Sequence, residues 1–448
     1  MGSSSEDLTD KTNVSYTLNV GINGVAMATS PTVFGALHAL ASFSQLVETS
    51  GAALLVRGLP WALDDAPRFV HRAVLVDSAR HFLPLAVLRA HVDAMAWAKL
   101  SVLHWHLIDS QAFPFASAAL PALGKGAWSP AEVYTPSDVA ALSAYAKDRG
   151  VRVMIEIDTP GHSTSWAKGC PLCVAACPAT LAAKGDGYGA LDPTVNLTYE
   201  TIEKLLTEVG QLAPDSWFHL GGDELRPNCW NESANVRAMM AANHWTIEQV
   251  EAYYLTKLLG IATRALPGRT LLTYQEIFDN GIPLPADVAF DVWKRGGTIG
   301  DVPSIPLEIA RIVKAGHGAV VANGNNGEWY LNGGWGNGPN HGRQNALWVD
   351  VYDLDPLNGT DALLTPAEQL RVLGGEVSLW GEEIDAADLL QRAWPRAAAF
   401  AERLWSPRAG RSTSEAAPRL ARFACRLKAR GVAAQAISPG SCFATSPP

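Results

Sequence analysis

Nowhere in this sequence do about 18 apolar residues follow one another without interruption, which excludes a transmembrane helix. There is no run of Lys or Arg either. With 35 basic side chains against 44 acidic ones the formal net charge is −9, which argues against nucleic acid as a partner. No low-complexity or long charged tract breaks up the 448 residues, 48% of them hydrophobic, so the chain is globular and can bury a large core. Residues 1–12 are polar and acidic and hold no signal peptide. The expectation is that a targeting segment has been removed or that the chain begins partway into a longer protein. No internal repeat is visible.

What is abundant is tryptophan, with 15 copies. Part of that surplus belongs in the core, but an indole is also the preferred stacking surface for sugar rings and cations. The six cysteines, at 170, 173, 177, 229, 425 and 442, permit three disulfides, while the Cys170-x-x-Cys173 spacing also permits metal or redox chemistry. Sequons at Asn13, Asn196, Asn231 and Asn358 give weak support to a secretory route.

After residue 68, apolar strands alternate with amphipathic helices. The pattern predicts strands over Arg72–Asp77, Ser101–Ile108, Arg152–Ile157, Ser216–Leu220, Thr270–Tyr274, Val288–Val292, Ala319–Val321 and Gly374–Leu379. Helices are predicted between them, as over Pro84–Lys99, Pro136–Gly150, Tyr199–Gln211, Thr246–Leu266 and Ile305–Ala315. Eight such units indicate an α/β fold, a (β/α)8 TIM barrel spanning 69–448 with a carboxy-terminal extension. A doubly wound open sheet competes, but no Gly-rich phosphate turn follows the first strand. Residues 1–68 offer about one strand, one helix (Val33–Thr49) and a hairpin, too little for a domain of their own.

Polar residues gather where a barrel needs them, at the carboxyl ends of the strands. His219-Leu-Gly-Gly-Asp-Glu224 is the most informative stretch. A buried strand ends, two glycines open the backbone, and two carboxylates are delivered side by side. Neighbouring residues on a strand point to opposite sides, so the two acids can address different parts of one substrate, as acid–base chemistry on a poorly activated bond requires.

Arg72…Asp77-Ser-Ala-Arg-His81, His104-Trp-His-Leu-Ile-Asp109, Glu156-Ile-Asp-Thr-Pro-Gly-His162, His219-Leu-Gly-Gly-Asp-Glu224 and Leu379-Trp-Gly-Glu382 resemble the β-N-acetylhexosaminidases of glycoside hydrolase family 20, most of all the eukaryotic lysosomal and secreted members. The likeness runs from about residue 30 to the end, through Trp394-Pro-Arg396 and Glu402-Arg-Leu-Trp405. It implies exo-hydrolysis of terminal β-linked N-acetylglucosamine or N-acetylgalactosamine with retention, in which the substrate's own acetamido group attacks and forms an oxazolinium intermediate. Glu224 would then be the general acid, Asp223 would orient the acetamide, and Asp109 with His162 would support Glu224. Arg72 and Glu382 would bond ring hydroxyls, and Tyr330 would donate to the acetamide carbonyl. Trp293 and Trp380 would wall in its methyl group, with Tyr274 completing the aromatic wall where many members carry Trp. His104 and His219 are read as packing residues.

The resemblance also implies no cofactor and no metal, a glycan substrate (N-glycan, chito-oligosaccharide or glycolipid), a lysosomal or secreted location, and allows a homodimer. It implies a Cys425–Cys442 disulfide. Cys177–Cys229 is then the expected second pair, leaving Cys170 and Cys173 to bridge each other or to join a four-thiol zinc site. Two other functions compete. A metal-dependent amidohydrolase would use His104-x-His106 with Asp109, His162 and Asp223, but leaves the tryptophans unexplained. The resemblance implies that residues 1–68 are the remnant of an incomplete α/β domain, which would leave a sheet edge exposed; a carbohydrate-binding protein without turnover would follow if that amino terminus or Tyr274 spoiled catalysis.

Ser110 replaces a common second acid after Asp109, with no clear consequence. Asn332 stands where many members carry Asp near the sugar's outer hydroxyls. Losing that charge should ease the binding of 6-sulfated sugars, so Asn332→Asp should depress activity on a 6-sulfated aryl glycoside relative to the neutral one. A relative gain on the sulfated substrate would refute this.

Overall fold

The computed structural model describes residues 6–50, 53–177, 189–225, 227–294, 304–324, 327–328, 331, 347–409 and 412–442. Eight parallel strands close into a barrel in chain order: His71–Asp77, Val102–His106, Arg152–Glu156, Trp217–His219, Thr270–Tyr274, Ala289–Val292, Gly318–Val321 and Val372–Leu379. These are the eight strands expected, shifted by one or two residues at their ends. All eight are buried at nearly every position because helices cover them outside and side chains fill them inside.

Helices Leu85–Trp97, Pro136–Lys147, Asn196–Leu212, Ile247–Ala265, Ile305–Lys314 and Arg396–Trp405 pack around the strands. The connection between the fifth and sixth strands departs from the expected unit: its one helix is the short Glu276–Asp279. Thr135 starts the helix after the second strand with a capping box, its hydroxyl accepting from the Asp138 N–H while the Asp138 carboxylate accepts from the Thr135 N–H.

The barrel interior divides by polarity. Toward the amino ends of the strands lies an apolar layer of Ala73, Val102, Met154, Trp217, Leu272, Ala289 and Val320. Above it sit His104, Glu156, His219, Asp291 and Glu376, all essentially inaccessible to solvent. His104 and His219 are therefore interior residues as expected, but they are held by carboxylates: His104 lies 2.9 Å from Glu376 and 3.1 Å from Glu156, and His219 3.1 Å from Glu156.

The first 65 residues form more strand than the sequence suggested. Tyr16–Val20 pairs antiparallel with both Ala26–Thr29 and Trp61–Asp65, the helix Val33–Leu46 packs against this sheet, and Val47–Ser50 forms a hairpin with Ala53–Val56. The extra strands are short, and Ala26–Thr29 is exposed at every residue, so neither shows the alternation of a half-buried strand. That strand lies at one edge of the sheet and Trp61–Asp65 at the other. Asp65 ties this sheet to the barrel: it accepts from Lys99 Nζ at 3.0 Å and from the Trp405 indole at 2.7 Å. The cysteines form Cys170–Cys173, Cys177–Cys229 and Cys425–Cys442, so the four thiols of the suggested zinc site are consumed in disulfides.

Candidate active site

The fourth strand ends at His219, and the chain must then turn sharply. Gly221 and Gly222 take φ of +68° and +103°, a region only glycine enters freely. A Cβ at Gly221 would collide with the Asp158 carboxylate. That close approach lets Asp158 accept the Gly222 N–H at 2.9 Å and sets Asp223 and Glu224 at the barrel mouth. Glu224 itself has φ of +46° and His162 has +50°.

His162 is the hub of the acids. Its Nε2 lies 3.8 Å from Asp223 and 3.7 Å from Glu224, and its Nδ1 lies 3.2 Å from Asp109. Burial opposes a charge on this ring, but Asp109 and then Asp223 outweigh it and push His162 up to about 10. Burial would raise the Asp109 carboxyl, yet Arg80 and then His162 hold it well below the usual carboxylate range. Burial and then the neighbouring Glu156 push Asp158 up to about 8, and Asp158 and Asp223 hydrogen-bond to each other. Asp223 is raised well above the usual range by burial and by Asp158. Two carboxyls in contact away from water share a proton because both cannot ionise. Glu224 is the more open of the adjacent pair, its side chain 38% exposed.

Arg80 supplies the missing cation. Its guanidinium donates to Asp77 at 2.9 Å, reaches Asp109 at 2.9 Å, and lies 4.0 Å from the exposed carboxylate of Glu382. It also sits 5.5 Å from the centre of the Trp380 ring, and His106 lies edge-on to the same ring at 5.2 Å. Across the mouth, Tyr274 and Trp293 meet edge to face at 6.4 Å, and the Trp293 indole donates to Glu276 at 3.0 Å. The Tyr274 hydroxyl points into the barrel, donating to Glu156 at 3.3 Å. Tyr330 and Asn332 lie outside the described residues.

Arg72 does not belong to this group. It stands at the amino end of the first strand, roughly 17 Å from Asp77 at the ordinary rise of about 3.3 Å per residue. There its guanidinium donates to the carbonyls of Lys99 and Phe69 at 2.9 and 2.7 Å and lies 5.1 Å from the Trp405 ring. It closes the floor of the barrel. The residue that occupies the expected place is Arg80, eight positions later in the same motif. The rule that barrel sites form at carboxyl ends, applied to the first strand, selects Arg80. Asp158 was likewise visible only as one polar residue after the third strand.

Four groups among the described residues bring ligand atoms close enough for a metal, including His106–Asp109–Asp158 and Asp158–His162–Asp223. His106, however, faces Glu156 at 2.7 Å with Nδ1 and Asp109 at 2.8 Å with Nε2. Both nitrogens must carry protons to make those contacts, which leaves no lone pair for a metal.

The catalytic-domain model of glycosyl hydrolase family 20 matches residues 69–408. The chain belongs to that family. It is 37% identical to the mouse "Beta-hexosaminidase subunit alpha" over 95% of this chain and 77% of that one. It is 36% identical to the human "Beta-hexosaminidase subunit beta" over 96% of this chain and 73% of that one. Among solved structures, the Flavobacterium johnsoniae chitobiase superposes with a TM-score of 0.81 at 26% identity, over 95% of this chain and 61% of that one. The protein is accordingly a glycoside hydrolase of the β-N-acetylhexosaminidase type. No described helix is long and apolar enough to cross a membrane.

Arg80 and Arg72 give opposite expectations. Arg80→Lys keeps the charge but loses the planar fork that meets two carboxylates, and kcat/KM should fall by about 100-fold. Arg72→Lys should leave kcat and KM within about twofold and lower the melting temperature. Equal kinetic losses in the two variants would return Arg72 to the site.

The raised groups also set a pH dependence. Folding lifts Asp158 from its ordinary 3.8 to about 8 and His162 from 6.5 to about 10. The folded state thus keeps protons that the unfolded chain has released. The stability they confer is complete below the ordinary values and is lost as pH rises through the folded ones, at up to about 1.4 kcal/mol per unit for each group. Melting temperature should therefore fall from about pH 6.5 to 9, and Asp158→Asn should flatten the part below pH 8. A melting temperature that holds or rises across that range would contradict the assignment.

Proposed function

We propose that this hydrolase removes terminal non-reducing β-linked N-acetylglucosamine or N-acetylgalactosamine from glycans with retention of configuration, using the substrate's acetamido group as nucleophile. The observation that carries the reading is the placement of one imidazole, His162, within 3.8 Å of both Asp223 and Glu224. The two acids are adjacent in the chain but differ in surroundings: Asp223 is buried against Asp158, while Glu224 is open to the mouth. Such a pair suits different tasks.

In this reading Glu224 protonates the glycosidic oxygen as the bond from that oxygen to the anomeric carbon breaks. The acetamide carbonyl oxygen forms a bond to the same carbon from the opposite face. Asp223 accepts the acetamide N–H and stabilises the positive charge on the resulting oxazolinium ring. Water then attacks the anomeric carbon, gives its proton to Glu224, and the ring opens to the free sugar. His162, charged and held by Asp109, keeps both acids in place. Trp380, Trp293 and Tyr274 supply aromatic walls, Glu382 a hydroxyl partner at the rim, and Tyr330 and Asn332 are assigned to the acetamide and the outer hydroxyls.

Further readings belong to the same proposal. Three disulfides support an oxidising compartment, and with it a lysosomal or secreted site of action. The relatives' names, subunit alpha and subunit beta, support assembly as a dimer. The family match beginning at residue 69 supports a boundary after residue 68. The substrates proposed are N-glycans, chito-oligosaccharides and glycolipid glycans.

An aryl β-N-acetylglucosaminide and the matching aryl β-glucoside, which lacks the acetamide, test the mechanism. Turnover should require the acetamide, and Glu224→Gln should lower kcat by about 1,000-fold or more with an ordinary phenol leaving group. Comparable turnover of the glucoside, or a sugar found covalently attached to a carboxylate, would overturn it. Binding without turnover in the unaltered protein would leave a carbohydrate-binding function instead.

A further inference from the structure

The acids at the mouth are not isolated from the barrel interior. From the floor upward, His71 lies 3.6 Å from Glu376, Glu376 2.9 Å from His104, His104 3.1 Å from Glu156, Glu156 2.7 Å from His106, and His106 2.8 Å from Asp109. Asp109 then meets His162 at 3.2 Å. Imidazoles and carboxylates alternate along the whole column, and every member is at least nine-tenths buried. His104 and His106 both face inward because residues two apart on a strand share a side.

Within this column His106 is the link next to Asp109. Around it stand Glu156 from the third strand, Asp158 past the end of that strand, Asp109 beyond its own strand, Asp77 from the first strand, and the Trp380 edge after the eighth. Several groups converge on the Asp109 carboxylate. Asp109 Oδ2 faces His106 at 2.8 Å and Arg80 at 2.9 Å, Oδ1 accepts the Ser110 N–H, and His162 Nδ1 lies 3.2 Å from both oxygens. Arg80 and the Ser110 N–H hold the carboxylate from the mouth, and His106 is the contact that reaches it from the polar column inside the barrel.

We propose that His106 is a positioning residue for the hydrolysis: clamped between Glu156 and Asp109, it fixes the Asp109 carboxylate in the orientation that holds His162 against Asp223 and Glu224. The inference rests on the function proposed above. It requires a ring protonated on both nitrogens. Burial opposes that charge, but Glu156 and then Asp109 overcome it and hold His106 well above its ordinary value. A ring that merely filled space would need neither proton.

Two variants separate positioning from filling. In His106→Gln the terminal amide reaches the place of Nε2 and can still donate to Asp109. In His106→Asn the amide reaches only the place of Nδ1 and can serve Glu156 but not Asp109. Both are neutral and both shrink the side chain. On the aryl β-N-acetylglucosaminide, His106→Asn should lower kcat by about 100-fold with KM within about twofold, while His106→Gln should lose no more than about tenfold. Equal losses in the two variants, or a loss confined to KM, would overturn the proposal. Should either variant fail to fold, nitrogen-15 spectra of the unaltered protein decide. His106 should show two protonated nitrogens at about pH 7, and one bare nitrogen would overturn the role. An unaltered protein without acetamide-dependent turnover would sink the proposed function, whereas turnover with indistinguishable variants sinks only the role of His106.

Discussion

One carboxylate, Asp109, organises the mouth of this barrel. It is fully buried, which would ordinarily keep it neutral, yet a guanidinium and two imidazoles converge on it. Their combined field keeps it ionised, and its charge in turn keeps His162 charged. Buried ions survive only when each has a partner. No member of the group can therefore be altered alone: the cation that Asp109 stabilises is the one placed against Asp223 and Glu224.

The fold supplies these contacts from distant parts of the chain. Asp77 and Arg80 come from the end of the first strand, His106 and Asp109 from the second, Asp158 and His162 from the third, and the adjacent acids from the fourth. Half the barrel thus feeds one cluster. The opposite half carries the aromatic side chains Tyr274 and Trp293, with Trp380 and Glu382 after the last strand closing the circle beside Arg80. Below, a polar column runs through a barrel interior whose apolar filling is confined to the layer toward the amino ends of the strands. Its charges are balanced link by link, so the site rests on a charged support instead of an inert one.

Much of this could be read before any coordinates. The eight strands follow from continuous apolar runs bounded by polar residues, and the two glycines before Asp223 announce a turn that only glycine can make. Asp109 and His162 were legible through family motifs. Arg72 was not, because a motif fixes the order of residues but says nothing of depth within the barrel. Only strand direction tells that a residue at position 72 opens the strand while Arg80 lies past its end. The shared proton of Asp158 and Asp223 escaped for another reason: the partners are 65 positions apart, and each alone is an ordinary acid after a strand. The small strands before residue 68 were missed where short, exposed segments carry no alternation.

The left-handed backbone at His162 and Glu224 has a further meaning. A side chain in that region costs of order 1–3 kcal/mol, and glycine would relieve it at either place. Relief would also delete the imidazole or the acid that the conformation exists to aim. Under the proposed mechanism robustness and turnover therefore pull against each other at these two residues, where the chain keeps the less comfortable backbone.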